Sequence, residues 1–149
     1  LTTGAWAEYN NSASIGTTYG KFYNGFAVET GELCPVGWRV PTDEDWTELM
    51  DFLGGRSVAG GKIKQTGTTL WKDPNEGVTN SSGFTALPAG FRGPTGPFYQ
   101  ISEVALWWSS SSENNKLPYW IVAYTNNELI RNFPVPKVNG LTVRCIWDD

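Results

Sequence analysis

Within this chain of 149 residues, one stretch carries a complete set of helix signals, and no other stretch equals it. Thr42 follows Pro41 and can accept from the backbone N–H of Asp45 as an N-cap, while Asp43, Glu44 and Asp45 suit the positive end of a helix dipole. Trp46, Leu49, Met50 and Leu53 fall at i, i+3, i+4 and i+7 and form one apolar face. Gly54-Gly55 supply the stop. The spacing predicts a helix over about 43–53. Ala59 to Gln65 reads as at most a short helical turn, because Gly60-Gly61 weaken it. With one good helix, the core has to be built from strands and packed loops, which agrees with 17 Gly and 9 Pro.

The strand signals cluster late. Ala105–Ser109, Tyr119–Thr125, Glu128–Phe133 and Leu141–Trp147 are strand candidates, with a hairpin expected at Asn126-Asn127 because Asn tolerates positive φ. Pro134 and Pro136 confine their neighbourhood to an edge or loop. In the last candidate, Leu141, Val143 and Cys145 alternate with Thr142, Arg144 and Ile146. Residues 66–100 are punctuated by Gly, Pro, Asn and Ser, yet Trp71, Phe84, Leu87, Phe91 and Phe98 suggest a loop that packs. Residues 1–18 read as a loosely held N-terminal arm, and 19–149 as a single domain that opens with an aromatic-dense strand or turn at Tyr19–Val28. The class is α+β.

Composition closes off several kinds of chemistry. There is no His, so a Ser-His-Asp triad, a Cys-His dyad, His-ligated zinc and imidazole acid–base catalysis are excluded. Lys and Arg are scattered singly in a chain of net charge −4, which disfavours nucleic acid. No apolar run approaches the ~18 residues of a membrane span. The chain begins with Leu, which suggests a mature product or an excised domain. Cys34 and Cys145 lie 111 positions apart, and neither sits in a Cys-x-x-Cys pair. They form a disulfide, stay as two buried thiols, or include a reactive thiol; the disulfide is the favoured reading and would imply an oxidising compartment.

Several words occur in order: Tyr19-Gly20-Lys21-Phe22-Tyr23-Asn24, then Leu33-Cys34-Pro35-Val36-Gly37-Trp38-Arg39-Val40-Pro41-Thr42 with Asp45-Trp46, then Gly83-Phe84-Thr85-Ala86-Leu87-Pro88-Ala89-Gly90-Phe91-Arg92. Trp107-Trp108-Ser109-Ser110-Ser111 and Gly140-Leu141-Thr142-Val143-Arg144-Cys145 follow. Over roughly residues 19–147 the chain resembles the Fibrobacter succinogenes major paralogous domain family. That resemblance implies a C-type-lectin-like fold, in the branch that holds formylglycine-generating enzymes and the variable proteins of diversity-generating retroelements. It also implies a surface-displayed or secreted bacterial protein, in some cases on a phage tail or adhesin, and a paired Cys34 and Cys145.

The resemblance carries little catalytic chemistry. The oxidase activity of formylglycine-generating enzymes needs a copper-binding cysteine pair late in the fold, and this chain offers only Cys145 there. Asp73-Pro74-Asn75-Glu76 and Trp147-Asp148-Asp149 superficially echo calcium triplets of sugar-binding lectins, but Trp147 follows the last cysteine instead of preceding it. Asp43-Glu44-Asp45 are explained by capping, and nothing marks a glycosidase pair among the other carboxylates. The expectation is a non-enzyme with no cofactor and no metal.

Residues 113–139 mix amide, aromatic and cationic groups, which suits adaptable recognition. The candidate ligand-binding residues are Asn114, Asn115, Tyr119, Tyr124, Asn126, Asn127, Arg131 and Phe133, expected largely on one solvent-facing side with Tyr119 as the exposed anchor. In retroelement-diversified proteins of the resembled fold the variable residues occupy this region and favour Asn and Tyr. The expected partner is a protein or glycan on a cell surface. The competing reading is a structural accessory domain of a larger surface protein, with no ligand of its own.

Overall fold

The computed structural model describes residues 2–149. In chain order its elements are β1 (Trp6–Ala7), a 3-10 turn (Tyr9–Asn11), α1 (Ala13–Tyr19), β2 (Phe22–Asn24), α2 (Gly25–Glu29), β3 (Trp38–Arg39), α3 (Asp43–Phe52) and α4 (Arg56–Ile63). There follow β4 (Phe91–Arg92), β5 (Phe98–Tyr99), β6 (Val104–Trp108), β7 (Leu117–Ala123), β8 (Ile130–Val135), β9 (Gly140–Leu141) and β10 (Ile146–Trp147). The strands pair antiparallel into three small sheets, ordered β1-β2-β9-β4-β5, β6-β7-β8 and β3-β10. The class is α+β.

The sheet β6-β7-β8 separates two apolar cores, and strand alternation does the sorting. Ala105 and Trp107 of β6, with Trp120 and Val122 of β7, face a cluster built from Trp46, Leu53, Ile63 and Trp71. Val104, Leu106 and Trp108 face the other way, onto Val28, Val40, Leu117 and Leu141. Every residue of β6 is therefore buried, which explains its unbroken apolar sequence. Trp46 reaches the first cluster from α3 and lies with its ring 5.3 Å from Trp107 and 6.1 Å from Trp120. The helix begins where the capping signals place it: Thr42 Oγ1 accepts from Asp45 N, and the Asp45 carboxylate accepts from Thr42 N in return. Cys34 and Cys145 are joined, Cα to Cα 5.9 Å, beside the β3-β10 pair. Pro134 lies on β8, the edge strand of its sheet, where a missing N–H breaks no central ladder.

Four expectations need correction. Residues 2–18 are not a loose arm: β1 pairs with β2, α1 follows, and the Tyr9 ring is buried 5.2 Å from Phe98 and 6.2 Å from Phe22, while residue 1 lies outside the described residues. α4 is a full helix of 8 residues despite its glycines, because Gly60 lets it press onto the Asn127–Glu128 backbone and Gly61 onto the Asn127 side chain and the Gly77 carbonyl. The chain does turn back between β7 and β8 around Asn126-Asn127, but neither is at positive φ; the pair at positive φ in this sheet is Asn114-Asn115, at 47° and 59°. The last strand is broken into β9 and β10, each given to a different sheet, and only Thr142 bridges to β6 between them.

α4 leads directly into Lys64, which is wholly buried. Its Nζ donates to the carbonyls of Ala123 at 2.9 Å and Asn126 at 2.8 Å, so one lysine ties α4 to the end of β7. No carboxylate accompanies it among the described residues, and burial pushes its pKa down to about 8.

Candidate functional site

β7 and β8 pair with Tyr119 opposite Asn132 and Trp120 opposite Arg131. β7 has 7 residues and so spans about 20 Å. The candidate residues lie at both ends of this hairpin.

At one end, Asn114-Asn115 form a two-residue turn closed by reciprocal 2.9 Å backbone hydrogen bonds between Glu113 and Lys116. Both asparagines have positive φ, as a primed hairpin turn requires. Asn115 Oδ1 accepts from Lys137 Nζ at 2.6 Å, and the same ammonium meets Glu29 at 2.6 Å. Arg131 Nε donates to Asp43 Oδ2 at 2.7 Å, and its other end contacts Glu113. Asp43 Oδ1 accepts from Trp120 Nε1 at 2.9 Å, so the first residue of α3 anchors a strand residue and its cross-strand neighbour together. Asp43 chiefly, by hydrogen bond and charge, raises the Arg131 pKa, and the guanidinium stays cationic. Tyr119 is half-buried against the second core cluster, and burial raises its pKa. Phe133 is 82% exposed.

At the opposite end, Tyr124 packs on the first core cluster with Lys72 Nζ 5.2 Å from its ring centroid. Asn126 Oδ1 accepts from Glu128 N at 3.0 Å, which turns the chain locally. Asn127 Nδ2 donates to Glu76 O at 3.0 Å. The structure thus gathers Asn114, Asn115, Arg131 and Phe133 around one end, with Tyr119 on the opposite face of the sheet, while Tyr124, Asn126 and Asn127 belong to the other end.

One aromatic feature has no counterpart in the sequence reading. Trp38 of β3 and Trp147 of β10 stand edge to face, 5.5 Å apart, at the mouth of a recess floored by Leu49, Phe84 and Ile146. Both indoles remain partly exposed, at 43% and 54%. Asp45 also lines the recess, held by Arg39, whose guanidinium grips both oxygens of Asp45 and also meets Asp148 at 3.0 Å. The Arg39 fork, with the Thr42 donors, holds the Asp45 carboxyl down at about 2. Nothing local signals a pair made by residues so far apart in the chain; only the adjacent disulfide could have suggested it.

These features define an α+β domain with a split core, tied by one disulfide. The family model of the Fibrobacter succinogenes major domain matches residues 1–147, and the chain belongs to that family. Neither curated proteins nor solved structures yield a match.

Proposed function

We propose that this domain is a non-enzymatic ligand-binding module of a surface-displayed or secreted bacterial or phage protein. In this reading the fold is a C-type-lectin-like variant, and recognition uses the end of the β7-β8 pair beside the Asn114-Asn115 turn, which joins β6 to β7. The observation that carries it is Phe133: a large ring 82% exposed on a free sheet edge. Around it the polar groups are fixed in advance, Arg131 by Asp43 and Glu113 and Asn115 by Lys137. Preorganised groups around a protruding aromatic lose little entropy on contact, as binding hot spots require. The disulfide supports an oxidising location, and among the described residues no helix is long and apolar enough to cross a membrane.

Phe133→Ala should leave the melting temperature within about 2 °C, since its side chain does not hold the core. Screening wild type and variants against immobilised glycans and surface proteins should give hits for wild type that Phe133→Ala weakens about tenfold or more. Hits that Phe133→Ala leaves intact would move recognition elsewhere, and no hits at all would favour the accessory-domain reading. Sequencing the locus in related strains adds a second test. Adenine-directed variation confined to 114–139 would mark the segment as retroelement-diversified, whereas uniform drift would not.

A further inference from the structure

We propose that a separate cavity, between β1, β2, β4 and the chain before β9, binds a small carboxylate through Arg92. The cavity has a volume of about 240 Å³, and Trp6, Phe22, Asn24, Arg92 and Thr95 contribute to its wall. That volume equals roughly the liquid share of eight water molecules, room for a carboxylate with a compact body.

The key is a half-buried guanidinium without a counter-charge. Arg92 makes no side-chain hydrogen bond and no ion pair among the described residues, and its Nε is buried without a partner. Buried charge in proteins is normally paired. Lys137 on Glu29 and Arg39 on Asp45 follow that rule, and buried Lys64 is satisfied by two carbonyls instead, whereas Arg92 has only the Phe98 ring, its centroid 5.8 Å away. Arg92 cannot simply leave for solvent through its backbone: β4 is paired on both sides, Arg92 opposite Phe98 and opposite Gly140. Gly140 makes the space, because a Cβ there would stand 3.0 Å from Arg92 Cβ and 3.3 Å from Phe22 Cβ.

What lines the rest of the cavity fixes the ligand's chemistry. No carboxylate is among its lining residues. Asn24 offers no free acceptor, its Oδ1 already accepting from the Ala5 and Ala27 N–H groups, while its Nδ2 donates to Thr3 O. At the rim Lys21 Nζ lies 3.8 Å from the Trp6 ring centroid and makes no ion pair among the described residues. The site therefore offers positive charge and donors, beside an aromatic wall. A planar carboxylate matches the guanidinium fork, and the Trp6 ring suits the body that carries it.

The test is a ¹H–¹⁵N titration of the intact domain with sodium butyrate and, separately, sodium glucuronate, at constant ionic strength set with NaCl. Saturable shifts of the Trp6 indole and Arg92 Nε–H resonances, with a matching rise in melting temperature, are expected. Butyrate alone would assign plain aliphatic acids and glucuronate alone sugar acids; either supports the carboxylate assignment. Arg92→Gln should weaken binding at least about tenfold, and Arg92→Lys should restore part of it. Lys21 is exposed, so Lys21→Gln tests the rim charge without touching the fold and should weaken binding about two- to fivefold. Unsaturable shifts with both acids, saturation by phosphate only, or full-strength binding by Arg92→Gln would each overturn the proposal.

Discussion

Gly60 of α4 lies so close to Asn127 that a Cβ at Gly60 would stand 2.6 Å from the Asn127 carbonyl oxygen and 2.8 Å from that of Glu128. Both obstacles are backbone atoms, which move only with the loop that carries them. Helix propensity alone would make Gly60→Ala stabilising by about 1 kcal/mol. Overpacking against fixed atoms costs typically 1–3 kcal/mol or more, and here it outweighs the gain. Urea denaturation should show Gly60→Ala less stable by about 1–2 kcal/mol. A more stable variant would mean that α4 does not press on this loop.

The same contact shows why α4 was hidden while α3 was legible. Every signal of α3 is local: the Thr42–Asp45 cap, the apolar face and the Gly54-Gly55 stop all lie within one stretch. The glycines of α4 lower its intrinsic propensity, and their compensation comes from residues 127–128, invisible to a local reading. The order of the N-terminal segment is equally non-local, since Tyr9 is buried by Phe22 and Phe98 rather than by its neighbours. Asn114-Asn115 and Asn126-Asn127 are alike in sequence, and it is the close Glu113–Lys116 bridge that puts the first of them in a tight turn at positive φ. In the site, the strand alternation of β7 was readable, but not that Arg131 would meet Asp43, 88 positions away. Nor could one strand's parity show that both of its faces pack, leaving Tyr119 half-buried.

The Cys34–Cys145 bond closes a separation of 111 residues. The chain-entropy model gives up to about 4.7 kcal/mol for a loop near that length, and real disulfides often deliver less. Cys145→Ser, or reduction of the native protein, should lower the melting temperature by about 10 °C, at the ~2–4 °C per kcal/mol expected for this size. Non-reducing peptide mapping that recovers two free thiols from native material would contradict the bond itself.

Asp45 serves at once as capping-box partner of Thr42 and as acceptor for Arg39. Its folded pKa, about 2, is depressed from an ordinary 3.8, chiefly by the Arg39 hydrogen bond. A depressed carboxylate pKa contributes stability that is present above 3.8 and lost as pH falls through about 2. The contribution is about 2 kcal/mol. Asp45→Asn should lose that amount at pH 7, and its stability should fall less than wild type between pH 4 and pH 2. Parallel acid curves for the two proteins would show that the Arg39 fork does not stabilise the fold.

Lys64 reverses the sign. Its Nζ has two acceptors, the carbonyls of Ala123 and Asn126, and its other close neighbour is the Trp71 ring, with its centroid 5.3 Å away. A neutral amine has two N–H donors and satisfies both carbonyls, whereas the ammonium brings a third donor and a charge into a buried site. That is the physical content of a pKa lowered from 10.5 to about 8 by burial. Below pH 8 both folded and unfolded chains carry the charge, and its burial penalty is present in full. Between about 8 and 10.5 the unfolded chain keeps a proton that the folded one has released, so stability rises with pH. Above 10 Tyr119 opposes this, because burial raises its pKa and the folded state then holds the extra proton. The clean window is therefore pH 7.5 to 9.5, where the full linkage of about 3 kcal/mol is only partly realised. Lys64→Met keeps the length of the side chain and removes the titration. Urea denaturation across that window should show wild type gaining about 1–2 kcal/mol relative to Lys64→Met. If the two proteins keep a constant difference, the Lys64 ammonium is solvated in the folded state and the tie between α4 and β7 is not buried as described.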